Sequence, residues 1–198
     1  MTLDTPHVSN GNKIACTSVI EERNGVASSE NLRRAVKLPK GENKCEWIAS
    51  HIYDFYTQIS MLYDTIEEYC SCPYMSYGPE RHYEWFDHKY YSAPEHIFRM
   101  FTWIQRLLDN HKLFPTKIDQ HFPKEDGFLL ISRLIFRRMF EFFAHIYRYH
   151  LDDVRKLKQE THLDTSFKHF LFFTHGNGLL RESDMEPLQE EYQRAFQQ

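Results

Sequence analysis

The sequence predicts an all-α protein, a helix bundle with one small non-helical insertion. Two long segments repeat apolar residues at steps of three and four, which is the period of an amphipathic helix. A third segment is apolar on most sides, as expected for a central helix surrounded by others. The stretch between the first two helices lacks this period and is rich in turn residues.

Composition narrows the class of protein. At 198 residues the chain is one large domain, or one domain with a tail, and its 16% aromatic content can build a sizeable core. A net charge of −4 argues against a dedicated nucleic-acid-binding protein. There is no apolar run long enough for a membrane span and no secretion signal, so we expect reduced or metal-bound cysteines in the cytoplasm, with the nucleus as a second compartment.

The N-terminal segment has the composition of a disordered tail. Residues 1–30 are rich in Ser, Asn, Thr and Glu without apolar periodicity. We therefore place the folded domain at 31–198, with 31–43 as a connector that Leu38 and Pro39 pack onto it.

The first long helix is predicted over 45–69. Its apolar stripe comprises Ile48, Ile52, Phe55, Ile59, Leu62, Ile66 and Tyr69. Polar residues fall on the opposite side, at Glu46, Ser50, Asp54 and Thr57. The aromatic stretch 71–91 follows, and its Gly78-Pro79 pair suits a short β-hairpin or an irregular excursion.

The second helix opens with a capping box from Ser92 to Glu95. Its stripe is Ile97, Phe101, Ile104 and Leu108. The central helix lies within 128–154 and carries one polar ribbon, which runs through Arg133, Arg137, Glu141, His145 and Arg148. Shorter helices are expected near 151–160, from a cap at Asp164–Ser166 to Gly176, and after a second capping box at Ser183–Glu186.

Two cysteines and two histidines form a candidate zinc site. Cys70, Cys72, His145 and His150 offer the Cys2His2 set that zinc takes in structural sites. Five residues turn a helix by about 500°, so both histidines reach one ion only if the helix ends or distorts near Tyr149. The alternative is two buried thiols and two hydrogen-bonded histidines. A redox pair would need two intervening residues, and a catalytic zinc would need an open ligand position, so an enzyme is the less favoured interpretation.

Two charged clusters each allow two interpretations. Glu42, Glu46 and Asp54 form either a solvated polar face or a landing surface for a basic helix of a partner. Arginines at 133, 137 and 138 either recognise phosphate or are neutralised by an i,i+4 pair between Arg137 and Glu141.

A series of short words along the chain resembles the Mob family of kinase-binding adaptors. "LPKGE", "EWIA", "MLY", "SAP", "AHIY" and "TSFKHF" occur in the family order between about residues 31 and 196, closest to the Mob-one subgroup. The resemblance implies a Mob-type fold around a four-helix bundle, a structural zinc and no catalytic activity. It also implies binding to NDR/LATS-type protein kinases in Hippo or mitotic-exit signalling. A general scaffold and, less favoured, a zinc hydrolase are the alternatives.

The resemblance also assigns roles to residues. The family zinc ligands match Cys70, Cys72, His145 and His150, although the two cysteines are closer together here. The kinase-binding surface matches Glu42, Glu46, Trp47 and Asp54, bordered by His169, and Thr65 matches a position that is phosphorylated in relatives. Arg137 and Arg138 match two of three basic residues that bind phosphopeptides of an upstream kinase or scaffold, whereas the third position is Glu141, an acid that would repel phosphate.

Overall fold

One long helix forms the centre of the protein. The computed structural model describes residues 29–116 and 121–197, so most of the predicted tail lies outside the described residues. Over these ranges the chain forms eight α-helices: α1 Ser29–Ala35, α2 Lys44–Ile66, α3 Ala93–Leu108, α4 Glu125–Tyr149, α5 Leu151–Lys156, α6 Glu160–Gly176, α7 Glu182–Met185 and α8 Gln189–Gln197. Helix α4 packs against α2, α3 and the small sheet, and buries a continuous run from Met139 to Ile146. The predicted all-α class is confirmed.

Helix α2 follows the predicted stripe with one exception at its end. Ile48, Ile52, Phe55, Ile59 and Ile66 are buried and Leu62 is half-buried. Tyr69 is 48% exposed, because a 3-10 turn over Glu67–Tyr69 tightens the chain and rotates this ring away, while Tyr63 is buried in its place. Asn43 caps the start of the helix, because its side chain accepts hydrogen bonds from the amides of Cys45 and Glu46.

The non-helical insertion is a β-hairpin, which is one of the two forms predicted for it. Strand β1 (Ser76–Gly78) pairs antiparallel with β2 (Arg81–His82), and an isolated bridge joins Glu84 to Tyr90. The hairpin lies against the C-terminal half of α4, with Met75 buried beneath it. Glu141 and His145, two members of the predicted polar ribbon, are consequently buried.

The predicted helix start is right at α3 and wrong at α6 and α7. The Ser92 hydroxyl caps α3 by accepting from the Glu95 amide at 3.4 Å. Helix α6 begins at Glu160, so Asp164 lies inside it and accepts a hydrogen bond from Tyr147. Ser183 lies within α7, whose cap pairs Arg181 with Asp184.

The predicted connector before α2 is helical in its first part. Residues Ser29–Ala35 form helix α1, which buries Leu32 and packs on α6.

Among the residues that the structure describes, no helix is long and apolar enough to cross a membrane.

Candidate functional site

The four predicted zinc ligands meet at the junction of the hairpin and α4. Their ligand atoms all lie within 4.8 Å of one another. Cys70 Sγ is 3.7 Å from His145 Nε2, and Cys72 Sγ is 3.4 Å from His150 Nε2. Zinc bonds of 2.3 Å to sulfur and 2.0–2.1 Å to nitrogen, at tetrahedral angles, would place these atoms about 3.6 Å apart. The two sulfur–nitrogen distances therefore match a tetrahedral zinc site.

The end of α4 allows both histidines to reach the cluster. Helix α4 stops at Tyr149, and His150 follows with φ −124° and ψ 8°, outside helical geometry. The rings of His145 and His150 consequently lie with centroids 5.2 Å apart. The predicted end of the helix near Tyr149 is confirmed. On the other side, Cys70 ends the 3-10 turn in extended backbone, so the chain leads directly to Cys72.

Both histidines are held so that Nε2 faces the cysteines. His145 Nδ1 lies 2.9 Å from the carbonyl oxygen of Ser76 in β1, and His150 Nδ1 lies 3.4 Å from a carboxylate oxygen of Asp153. Each acceptor favours the tautomer with hydrogen on Nδ1, which leaves the Nε2 lone pair available to a metal. Sequence reasoning missed Ser76 and Asp153. Of these two, only Asp153 could have been found from the sequence, because it lies three residues after His150.

Burial sets the protonation of the metal-free cluster. It raises the pKa of the Cys70 thiol to about 11, raises that of Cys72, and lowers the pKa of His145 to about 4. At neutral pH the cluster thus holds two thiols and a neutral imidazole. A bound zinc ion would supply the charge that favours the thiolates, and binding would release their protons. If all four side chains bound one ion, they would fill its tetrahedral shell, as protein ligands do in structural sites.

The predicted kinase-binding residues lie at the start of α2 and along it. Glu42 and Glu46 are exposed, while Asp54 and Trp47 are half-buried. The Trp47 ring packs against His51 with centroids 4.3 Å apart, and its indole Nε1 is buried without a hydrogen-bond acceptor among the described residues. We call Glu42, Glu46, Trp47 and Asp54 the acidic surface.

His169 lies beneath the acidic surface rather than at its border. It is 2% exposed, and its ring packs 4.8 Å from Phe55 and 6.1 Å from His51, which itself contacts Trp47. Neither ring nitrogen has a hydrogen-bond partner among the described residues. Burial lowers the pKa of His169 to about 3. Its position is that of a support for the surface residues, since a docked partner could not reach its ring.

The arginine pair on α4 is divided by burial. Arg138 is buried and donates to both carboxylate oxygens of Glu141 at 2.8 and 3.0 Å and to the Glu84 carbonyl at 3.0 Å. Arg137 is half-exposed, with Nε 4.0 Å from Glu141. Arg138, rather than the predicted Arg137, is therefore the main partner of Glu141.

His96 completes this buried network, and sequence reasoning missed it. Its Nε2 lies 3.2 Å from Glu141, and it is 1% exposed. A signal was present, because His96, Met100 and Ile104 are four residues apart and so share the buried stripe of α3.

The predicted phosphorylation position, Thr65, is exposed, and its hydroxyl donates to the Leu62 carbonyl at 2.7 Å.

Comparison with known proteins assigns the family. The model of the Mob1/phocein family matches residues 24–188. The chain belongs to the Mob1/phocein family. It is 47% identical over 171 residues to "Maintenance of ploidy protein mob1" of Schizosaccharomyces pombe, covering 82% of this chain and 80% of that protein. It is 43% identical to "MOB kinase activator-like 1 homolog A" of Dictyostelium discoideum and 41% identical to "MOB kinase activator-like 1A" of Arabidopsis thaliana, each covering 82% of this chain and 79% of the relative. The predicted Mob resemblance is confirmed.

Proposed function

We propose that this Mob1/phocein protein is a non-catalytic adaptor that binds the N-terminal regulatory region of an NDR/LATS-type protein kinase and promotes its activity. The observation that carries the proposal is the acidic surface, which places two exposed glutamates beside a half-buried tryptophan at the start of α2. Relatives named as kinase activators support it. Hippo or mitotic-exit signalling in the cytoplasm and nucleus is the setting we propose.

The acidic surface has the chemistry that a basic helix requires. Glu42 and Glu46 are exposed, so their charges steer a basic segment to the surface and set its register. Trp47 lies half-buried beside these glutamates, and a partly exposed tryptophan ring is a frequent anchor at the centre of an interface. His51 and His169 pack behind Trp47 and hold its ring in place.

A charge-reversal pull-down tests the kinase proposal. The Glu46→Lys plus Asp54→Lys variant should bind the N-terminal region of an NDR-type kinase at least about tenfold more weakly, because it places cations against a basic helix. Glu68→Lys plus Glu190→Lys is the matched control, since both glutamates are exposed and lie outside the acidic surface. Equal binding by the two double variants would remove the surface assignment. Normal binding without an increase in kinase activity would favour the general scaffold.

We further propose that zinc occupies the Cys2His2 cluster and has a structural role. Cys70 and Cys72 precede the hairpin, whereas His145 and His150 belong to the end of α4, so one ion would tie these two elements together. Four protein ligands leave no position for a substrate or water. A hydrolase would therefore need a ligand to leave, and turnover of ester or amide substrates by the zinc-loaded protein would favour that alternative.

The Arg138 network bears on the choice of partner. A phosphate group binds arginine through donors that are free to face it. Arg138 directs Nη1 to Glu141 and Glu84, and its guanidinium lies 4.8 and 4.4 Å from the ring centroids of Trp85 and Phe86. We therefore propose that Glu141 occupies the donors of Arg138, so that this protein does not bind phosphopeptides of an upstream kinase or scaffold. A phosphothreonine peptide that binds wild type as tightly as a Glu141→Arg variant would contradict this.

A further inference from the structure

A strip of exposed apolar side chains runs along α4 towards the hairpin insertion. Leu130 is 60% exposed and Leu134 is 37% exposed, on consecutive turns of α4. Arg138 follows one turn later on the same ridge, and its guanidinium lies 4.4 Å from the centroid of the Phe86 ring. Phe86 is 44% exposed and contacts Trp103 of α3 at 5.1 Å. We call Leu130, Leu134, Phe86 and Trp103 the leucine strip.

The exposed apolar residues of the leucine strip lie together on the surface and are not isolated from one another. Single exposed leucines are normal in monomeric proteins. Here two leucines on one helical ridge lead into two aromatic rings, which makes an elongated apolar surface of the kind that receives an amphipathic helix. None of these four residues belongs to the metal cluster or to the acidic surface.

Positive charge flanks the leucine strip. Arg133 and Arg137 follow the two leucines by three residues each and are exposed. Arg133 Nε donates to the Gly178 carbonyl at 3.3 Å, and Arg137 Nε lies 3.7 Å from Asp184 and 4.0 Å from Glu141. Arg137 is thus in ion pairs with two carboxylates, whereas Arg133 is paired with no carboxylate within residues 29–116 and 121–197.

Carboxylates near the strip compensate this charge only in part, because Asp184, the carboxylate nearest to Arg137, also accepts hydrogen bonds from Arg181. Glu141 is buried and hydrogen-bonded to Arg138, so it presents no charge to an incoming partner. Asp126 is the exposed acid one turn before Leu130, at the opposite end of the ridge from Arg137. The strip therefore presents apolar side chains beside cations.

We propose that the leucine strip binds an unphosphorylated, acidic amphipathic helix of a protein partner. Leucine-type side chains of that helix would cover Leu130 and Leu134, and its Asp or Glu residues would face Arg133 and Arg137. A second copy of this chain fits poorly, because a symmetric contact would bring arginines against arginines. A phosphorylated segment fits poorly as well, because Arg138 already binds Glu141. The proposal does not rest on kinase binding, since it uses a different helix and the opposite charge.

A peptide titration tests the proposal without any knowledge of the natural partner. The probe is a synthetic helix with leucines at i, i+4, i+7 and i+11 and glutamates beside them, and its twin replaces each glutamate with glutamine, which carries no charge that the acidic surface could attract. Fluorescence anisotropy should show that the glutamate peptide binds at least about tenfold more tightly than the glutamine peptide. On addition of the glutamate peptide, the backbone amide chemical shifts that change in NMR spectra should be those of residues 130–137. Absence of binding, or equal binding of the two peptides, would overturn the proposal.

Variants locate the binding. Leu130→Ser plus Leu134→Ser should weaken the glutamate peptide at least about tenfold, because two apolar contacts are lost. Met61→Ser is the matched control, since Met61 is 64% exposed on α2, and it should leave binding unchanged. Unaltered binding by the double serine variant would refute the assignment. Two other results would also overturn it. One is a wild-type dimer that the double serine variant abolishes, which would indicate a second copy of the chain. The other is cosedimentation with phosphatidylserine vesicles that the same variant abolishes, which would indicate a membrane.

Discussion

Replacing His169 with phenylalanine should stabilise the protein more at pH 5 than at pH 7. The imidazole is 2% exposed and has no hydrogen-bond partner among the described residues, so the fold accommodates its neutral form. Burial lowers its pKa from 6.5 to about 3. Because the folded pKa lies below the unfolded one, stability is full above pH 6.5 and is lost as the pH falls towards 3.

The magnitude follows from these two pKa values. At pH 5 the unfolded chain binds the proton and the folded protein does not, which costs about 2 kcal/mol of stability, whereas at pH 7 the cost is about 0.2 kcal/mol. His169→Phe removes this cost. Its effects on packing and on the unpartnered ring nitrogens are independent of pH, so they cancel when the stability change at pH 7 is subtracted from that at pH 5. The expected difference is therefore about 2 kcal/mol.

Urea unfolding of wild type and variant at both pH values, with total zinc held constant, measures this difference. Phe170→Leu is the matched control, because Phe170 is a fully buried ring on the same helix that does not titrate. Its cost should be the same at pH 5 and pH 7. A difference below about 0.5 kcal/mol for His169→Phe, or an equal one for Phe170→Leu, would refute the account of His169 as a buried neutral base.

Three further predictions concern the metal cluster, the buried ion pair and the exposed threonine. Cys72→Ser should lose bound zinc in elemental analysis and melt about 5 °C or more below wild type, whereas metal-free wild type of unchanged melting temperature would exclude a structural zinc. Arg138→Ala should lower the free energy of unfolding, measured in urea, by about 3–5 kcal/mol, because it leaves the Glu141 charge buried. An additional Glu141→Ala change should recover part of that loss. Fully additive effects of the two substitutions would argue against the ion pair. Thr65→Glu should be about 0.5 kcal/mol less stable than Thr65→Gln, because the added charge lies near the acids Asp64 and Glu68 at the helix C-terminus, and salt should reduce this difference if its origin is electrostatic.

Local periodicity predicted most of the fold. The stripes of α2 and α3 are visible in sequence because a helix repeats every 3.6 residues and each has one apolar face. The cap at Ser92 was equally visible, since it depends on residues three apart. The false caps at Asp164 and Ser183 have the right residue types, but Asp164 instead accepts from Tyr147 on another helix.

The candidate zinc site could be predicted because its ligands are identified by side-chain chemistry, and because the helical turn angle required α4 to end near Tyr149. The orientation of His145 could not be predicted. It depends on the Ser76 carbonyl, which the hairpin brings to the ring from 69 residues away in the chain. Backbone acceptors carry no signal in a sequence, so such contacts appear only in the tertiary structure.

By itself, the sequence determined the helical class, the Cys2His2 donor set and the acidic residues at the start of α2, since these follow from local spacing and residue type. Only the tertiary structure decided which polar residues of α4 face solvent. The hairpin covers the C-terminal half of that helix, so Glu141 binds Arg138 and His96 inside the protein, while Arg133 and Arg137 remain outside beside exposed leucines. Burial depends on what packs against a residue, and the covering segment here lies far away in the chain.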